Sequence, residues 1–263
     1  MTLQTHKTKP PIALCCAGVD PSGGAGVLAD LRVLSRLDVW GMALATALTA
    51  QNSVGVTAVH PVDPEIFIQQ YQSLKEDFCI QGVKIGMLGG LAQAKQVTAL
   101  LSEQPGPKVM DPVLISSSGS VLLAPEAFEY VREVLLPTVD LITPNLAEAE
   151  ALSGLPVTDI GQMKDAARCL VNQFGVQAVL IKGGHLSGEP VDYYYGPEGE
   201  CEFSGRRVEG VDPHGTGCLL STAILGYKLQ GCSWHQAIKQ AKQFGFEAIS
   251  NSFDLGHGKA YWT

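Results

Sequence analysis

Nothing in this sequence reaches the roughly 18 consecutive apolar residues that a membrane-spanning helix needs, although 46% of its 263 residues are hydrophobic. The apolar residues fall in short runs, so a soluble interior is expected rather than a membrane span. Positive charge is scarce, with 18 Lys and Arg against 26 Asp and Glu and a net charge of −8. Nucleic acids and anionic membranes both call for a basic face, and neither is expected as a partner. The seven cysteines, at 15, 16, 79, 169, 201, 218 and 232, include no CxxC and no Cys/His spacing suited to zinc. Reduced thiols in a cytoplasmic protein are the simpler expectation. The polar start, MTLQTHKTKPP, has no apolar core of signal-peptide length, and residues 1–11 are expected to form a flexible tail. At roughly 150 residues per domain, the whole chain reads as one domain spanning 1–263.

What is present is an alternation of short apolar runs with longer segments of helical period, the pattern of βα units around a mainly parallel sheet. Strands are expected at 12–19, 40–48, 79–88, 108–113, 140–143 and 178–184. Helices are expected at 27–37, 66–78, 91–101, 126–136, 160–174, about 216–230 and 233–250. Around the turn GPEG, VDYYYGPEGECEFSGRRV reads as an antiparallel hairpin at one sheet edge. Open α/β sheets collect ligands at the carboxyl ends of their strands. The turns there are AGVDPSGGAG, TAQN, KIGMLGG, MDPVLISSSG, ITPNLAE and IKGGH, followed by DPHGTGC.

Each turn carries a chemical reading beside a plainer one. Gly24-x-Gly26-x-x-Ala29 has the dinucleotide spacing, but that reading needs an acidic residue after the second strand, where the chain has Ala50-Gln51-Asn52. An NAD oxidoreductase is therefore not expected. Asp20 and Asp30 bracket these glycines, which a tight turn alone does not explain. In HGTGC, Gly215 and Gly217 would let the first backbone N–H groups of a helix approach a phosphate, helped by about half a positive charge from the helix dipole. No GxxxxGK[ST] occurs, which excludes a P-loop kinase. Cys218 has two readings: a small hydrophobe opening a buried face, or a thiol of dipole-lowered pKa acting as a base. Asn145-x-x-Glu148 is either a helix N-cap or an outer-shell group for Mg²⁺ and phosphate. Lys182, ending an apolar strand, either snorkels outward or meets a phosphate.

Seven blocks in order, GVDPSGGAGVLADL, TAQNSVGV, KIGML, DPV, LITPNLAEAEAL, KGGH and HGTGC, closely resemble the hydroxymethylpyrimidine and phosphomethylpyrimidine kinases. The resemblance runs from about residue 12 to the GHG at 256–258. It implies a three-layer ribokinase-like α/β fold, with a central, mainly parallel sheet and helices on both faces, and a homodimer. The implied reaction moves the γ-phosphoryl of ATP, with Mg²⁺, to the hydroxymethyl group of an aminopyrimidine and then to the resulting monophosphate. By motif, the resemblance assigns Gln51, Asp30, Gly18 and Met87 to the aminopyrimidine. It assigns Lys182 to the phosphates, Asn145, Glu148 and Asp111 to the Mg²⁺ shell, and the loop at 211–217, with Thr216, plus the last helix to the nucleotide. Many ribokinase relatives place an Asp base where this chain has Cys218, so the resemblance implies that Cys218 is catalytic, together with Lys182, Gly215 and Gly217. The chain departs from the family at LISSSGSVLL, with Ser116 to Ser118 and Ser120 where a lysine and an acid are usual, and at Asp212-Pro213 before HGTGC. Within the superfamily a pyridoxal or pyridoxine kinase is the alternative, and a non-catalytic vitamer-binding protein is the alternative outside enzymes.

Overall fold

A computed structural model describes residues 9–115, 122–184, 186, 189–208, 210 and 213–262. Ser116 to Ser118, Ser120, His185 and Asp212 lie outside the described residues, as does most of the expected tail.

Among the described residues, nine strands, β1 to β9 in chain order, form one sheet in the order β3-β2-β1-β4-β5-β6-β7-β8-β9. Its middle is parallel: β1 (Ile12–Val19) lies between β2 (Trp40–Gln51) and β4 (Gly82–Ile85), followed by β5 (Lys108–Met110), β6 (Leu141–Ile142) and β7 (Val179–Ile181). These strands are apolar on both faces, as IALCCAGV shows, because helices cover both sides. Five helices, α2 (Pro64–Asp77), α3 (Leu91–Ser102), α4 (Pro125–Tyr130), α5 (Leu146–Ser153) and α6 (Ile160–Phe174), bury one face through Phe67, Val97, Ala127, Leu152 and Leu170. On the other face α1 (Gly26–Arg36), α7 (Thr216–Leu229) and α8 (Trp234–Ser250) bury Val33, Leu34, Leu219, Ile224 and Ile238. At about 1.5–3 kcal/mol for each buried Leu or Ile, these two cores are the main stabilising term.

The helix at 160–174 and the hairpin of β8 (Val191–Gly196) and β9 (Gly199–Ser204) match expectation. Gly199, the first residue of β9, takes φ +92 where it closes the tight turn at 197–198. Three features differ. The sheet has a second antiparallel edge, because β2 runs on to Gln51 and turns back through β3 (Val56–Pro61). Asn52 makes that turn, its Oδ1 accepting from the N–H groups of Val54 and Gly55. The largely exposed pattern of β3 hides it from a search for apolar runs. The helix expected at 126–136 is α4 only to Tyr130, after which Val131–Leu135 forms a π-helical turn and Leu136–Thr138 a 3₁₀ turn. The runs at 79–88, 108–113 and 178–184 are strand for only four, three and three residues. Residues 86–88, 111–113 and 182–184 supply loops at the carboxyl ends.

Candidate active site

The carboxyl ends of the parallel strands and the start of α7 enclose a cleft of about 2200 Å³. It is lined by Gly18, Gln51, Met87, Asp111, Asn145, Glu148, Lys182 and the run Gly215 to Cys218. Of the residues that the resemblance assigns by name to substrate, phosphates, Mg²⁺ and nucleotide, all but Asp30 line it.

The start of α7 is built for an anion. Gly215, its N-cap, sits at φ +75 and offers no side-chain cap, so the first-turn N–H groups are satisfied by no capping side chain. A side-chain carbon at Gly215 would lie 2.0 Å from the carbonyl oxygen of Gly24. At Gly217 it would lie 2.9 Å from Asp111 Oδ2 and 3.2 Å from Lys182 Nζ. The second glycine thus brings the helix mouth against an ion pair. Lys182 Nζ donates to Asp111 Oδ1 at 2.7 Å, and Thr143 Oγ1 donates to the same oxygen at 3.2 Å. Burial alone would lower the pKa of Lys182, but Asp111 and Glu148 raise it, so the lysine keeps its charge where phosphates would lie.

Asn145 and Glu148 form a capping box at the start of α5. Asn145 Oδ1 accepts from the Glu148 N–H at 2.9 Å, and Glu148 Oε2 accepts from the Asn145 N–H at 2.8 Å. The N-cap reading therefore holds, and it does not displace the other, because both residues also face the cleft. Burial pushes the Glu148 carboxyl up to about 7, with Lys182 opposing and nearby Asp111 reinforcing the rise. Among the described residues no group of three His, Cys, Asp or Glu side chains could hold a metal by itself. Two crowded acids beside a phosphate-sized anion hole do fit Mg²⁺, which takes one or two carboxylates and completes its shell with phosphate oxygens and water.

Two expectations change. Asp30 is fully buried and lines no part of the cleft. Its carboxylate accepts from Lys84 Nζ at 2.9 Å and from Thr222 Oγ1 at 2.7 Å, tying α1 to β4 and α7 beneath the site. The dipole-lowered thiol at Cys218 is also not found. Burial pushes that thiol up to about 11, and Lys84 and the backbone N–H of Gly26 only partly offset it against Asp30 and Asp111. Packing against β1 and α1 outweighs the helix end.

Asp20 and His214 carry geometry that the motif reading left without a role. Asp20, 2% exposed, accepts from Ser22 Oγ at 2.7 Å and from the N–H groups of Ser22 and Ala25, both at 2.9 Å. Burial would raise its pKa, but hydrogen bonding with His214 and Ser22 lowers it, so it stands as a carboxylate. His214 Nε2 lies 3.1 Å from Asp20 Oδ2 and 2.8 Å from Gln51 Nε2. A single ring nitrogen does not donate to one and accept from the other, so the Asp20–His214 pair decides how the Gln51 amide is presented. The available signals were the acid next to PSGG and the histidine opening HGTGC. Arg206, Arg207, Lys239 and Phe246 add basic and aromatic side chains to the cleft lining despite the acidic chain.

A family model described as phosphomethylpyrimidine kinase matches residues 20–262. This chain belongs to the phosphomethylpyrimidine kinase family. A hydroxymethylpyrimidine/phosphomethylpyrimidine kinase of Aquifex aeolicus is 42% identical over 249 residues, covering 94% of this chain and 97% of that one. Among solved structures, the phosphomethylpyrimidine kinase of Clostridium difficile superposes with a TM-score of 0.80 at 37% identity, over 91% of this chain and 99% of that one. The pyridoxal kinase of Staphylococcus aureus, in complex with AMP-PCP and pyridoxal, superposes at 0.87 with 30% identity, over 96% and 93%. The chain is thus a phosphotransferase of the phosphomethylpyrimidine kinase family with a three-layer ribokinase-like fold. Among its described residues no helix is long and apolar enough to cross a membrane.

Proposed function

We propose that the chain transfers the γ-phosphoryl of ATP to the hydroxymethyl group of 4-amino-5-hydroxymethyl-2-methylpyrimidine, and then phosphorylates the product, supplying the pyrimidine half of thiamine. The observation that carries this reading is one cleft that holds both an amide, Gln51, and an anion hole at the start of α7. The Gln51 amide answers both the amino donor and the ring acceptor of an aminopyrimidine. Beside it, Gly18 and Met87 line the cleft, and a side-chain carbon at Gly18 would come within 3.0 Å of Met87 Sδ, so the glycine lets the methionine pack close against β1. The start of α7, with Thr216, and Lys182 receive the transferring phosphoryl, whose charge in a loose transition state is spread over its oxygens. Asp111, Glu148 and Asn145 would hold Mg²⁺, which neutralises the β- and γ-phosphate charge when bound.

Cys218 lines the cleft beside Gly217, which supports assigning it the role of taking the hydroxyl proton. A thiol titrating near 11 is mostly protonated at neutral pH. Cys218 therefore acts through the small thiolate fraction, or late, as the bond to phosphorus forms. The enzyme works in the cytoplasm as a homodimer, which sedimentation at twice the chain mass would test.

Initial rates with the aminopyrimidine, its monophosphate, pyridoxal and pyridoxine test the substrate assignment. The pyrimidines should be turned over fastest. Faster turnover of pyridoxal, the reading favoured by the Staphylococcus aureus superposition, overturns the choice of ring. Phosphoryl transfer at background with all four would make the chain a vitamer-binding protein.

A further inference from the structure

Residues 252–262 return to the edge of the site after α8 has ended, where Lys259 lines the cleft. They close on themselves through Phe253 and Tyr261, each N–H donating to the other's carbonyl at 2.9 Å. One side of this strap is sewn to the end of β2. Gly258 N donates to Ser53 Oγ at 3.2 Å, and Lys259 N to Ser53 O at 3.0 Å, two residues past Gln51. A side-chain carbon at Gly258 would lie 2.2 Å from Ser53 O, so the approach depends on glycine. The other side is sewn to the mouth of α7. His214 N donates to Ala260 O at 2.9 Å, and Trp262 Nε1 donates to His214 O at 2.8 Å, one residue before Gly215. Trp262 is 2% exposed and lies under the Arg32 guanidinium, 4.9 Å from its ring centroid. Arg32 in turn donates to the carbonyl of Gly23.

Gly215 needs outside support, because it is the left-handed cap of α7 and no side chain caps the helix. Both backbone groups of the preceding residue are committed to the strap.

We infer that the 252–262 strap is a positioning element for phosphoryl transfer, spanning the Gln51 end of the cleft and the anion hole. Trp262 is the positioning residue at the α7 mouth, and Gly258 is the one at the β2 end. The inference rests on the reaction proposed above. Neither residue touches substrate; each sets the backbone that does. Misplacement by about 1 Å is enough to cost on the order of 100-fold in rate, so the two ends should fail differently.

The test uses the full-length Trp262→Phe and Gly258→Ala variants. Trp262→Phe keeps an aromatic ring under Arg32 and loses the N–H donor to His214. It should lower kcat about 10-fold or more, with KM for the aminopyrimidine within about twofold of wild type. Gly258→Ala pushes the strap off Ser53 and should raise that KM about fivefold or more while kcat stays within about twofold. Amide hydrogen exchange at residues 215–218, read without any substrate, should speed up in Trp262→Phe. Wild-type kinetics in either variant, or unchanged exchange at 215–218, would overturn the inference. So would a fall of kcat and a rise of KM in equal proportion in both variants, which marks general loosening. Should the wild type fail to turn over the pyrimidine, the proposed substrate falls, and the exchange measurement still decides the strap.

Discussion

Cys218 shows how burial can outweigh the sequence position of a residue. Placement at a helix start favours a thiolate, and desolvation of the thiol in the cleft wall holds the proton on, up to about 11. If the thiolate is the base, its fraction rises about tenfold per pH unit below that value, so kcat should climb with near-unit slope between about pH 7 and pH 9. Cys218→Ala should lower kcat about 100-fold or more while ATP binding by calorimetry is preserved. A flat profile together with an active alanine variant assigns the thiol to packing. Asp30 yields the opposite kind of prediction. Its partner Lys84 is fully buried, and the charge of Asp30 helps hold that lysine protonated. Asp30→Asn strands a buried cation, so denaturant unfolding should show a loss of about 3–5 kcal/mol. A stable variant with only a raised KM for the pyrimidine would return Asp30 to the substrate.

At the scale of elements, α7 links the site's chemistry to the fold. Its apolar face, Leu219, Ala223 and Ile224, is buried in the core shared with α1 and α8, and its first turn is the anion hole. Gly217 is where these two duties meet, because any side chain there intrudes on the Asp111–Lys182 pair. Gly217→Ala should cut kcat/KM for ATP about 10-fold or more, with helix content by circular dichroism unchanged, since alanine is the better helix former. Loss of helix instead would mean that the glycine serves the backbone alone. The glycine spacing was legible in the sequence. The partner pair was not, since Asp111 and Lys182 lie 71 positions apart.

For the whole molecule, the site's acids tie stability to pH. Glu148 titrates near 7 in the folded chain against an ordinary 4.5, so the folded state holds an extra proton between those values. Stability contributed at this position is therefore greatest near pH 4.5, declines as pH rises to about 7 and is flat above. Glu148→Gln removes the decline and should give a higher Tm than wild type at pH 8 but not at pH 4.5. Parallel Tm curves over that range would show that Glu148 does not titrate there. This destabilised acid belongs to the cleft, where a cation would relieve it.

The sequence by itself determined the alternation of strand and helix around a mainly parallel sheet, most helices, the β8–β9 hairpin and the turns that carry chemistry, because apolar period and glycine placement are local properties. It also carried the family, through seven ordered blocks. Tertiary structure decided the rest. The β2–β3 edge lies in a strand too exposed for an apolar pattern to mark, and the π-helical and 3₁₀ turns that follow α4 interrupt a continuous helical period. Asp30 and Asp20, both acids near a glycine turn, differ only in what the fold sets against them: Lys84 and Thr222 for one, His214 and the cleft for the other. The strap at 252–262 gains its place from Ser53 and His214, some 200 and 50 positions away, a separation that no local pattern records. Protonation belongs to the same class, since burial and neighbouring charge set it and only the folded chain supplies either.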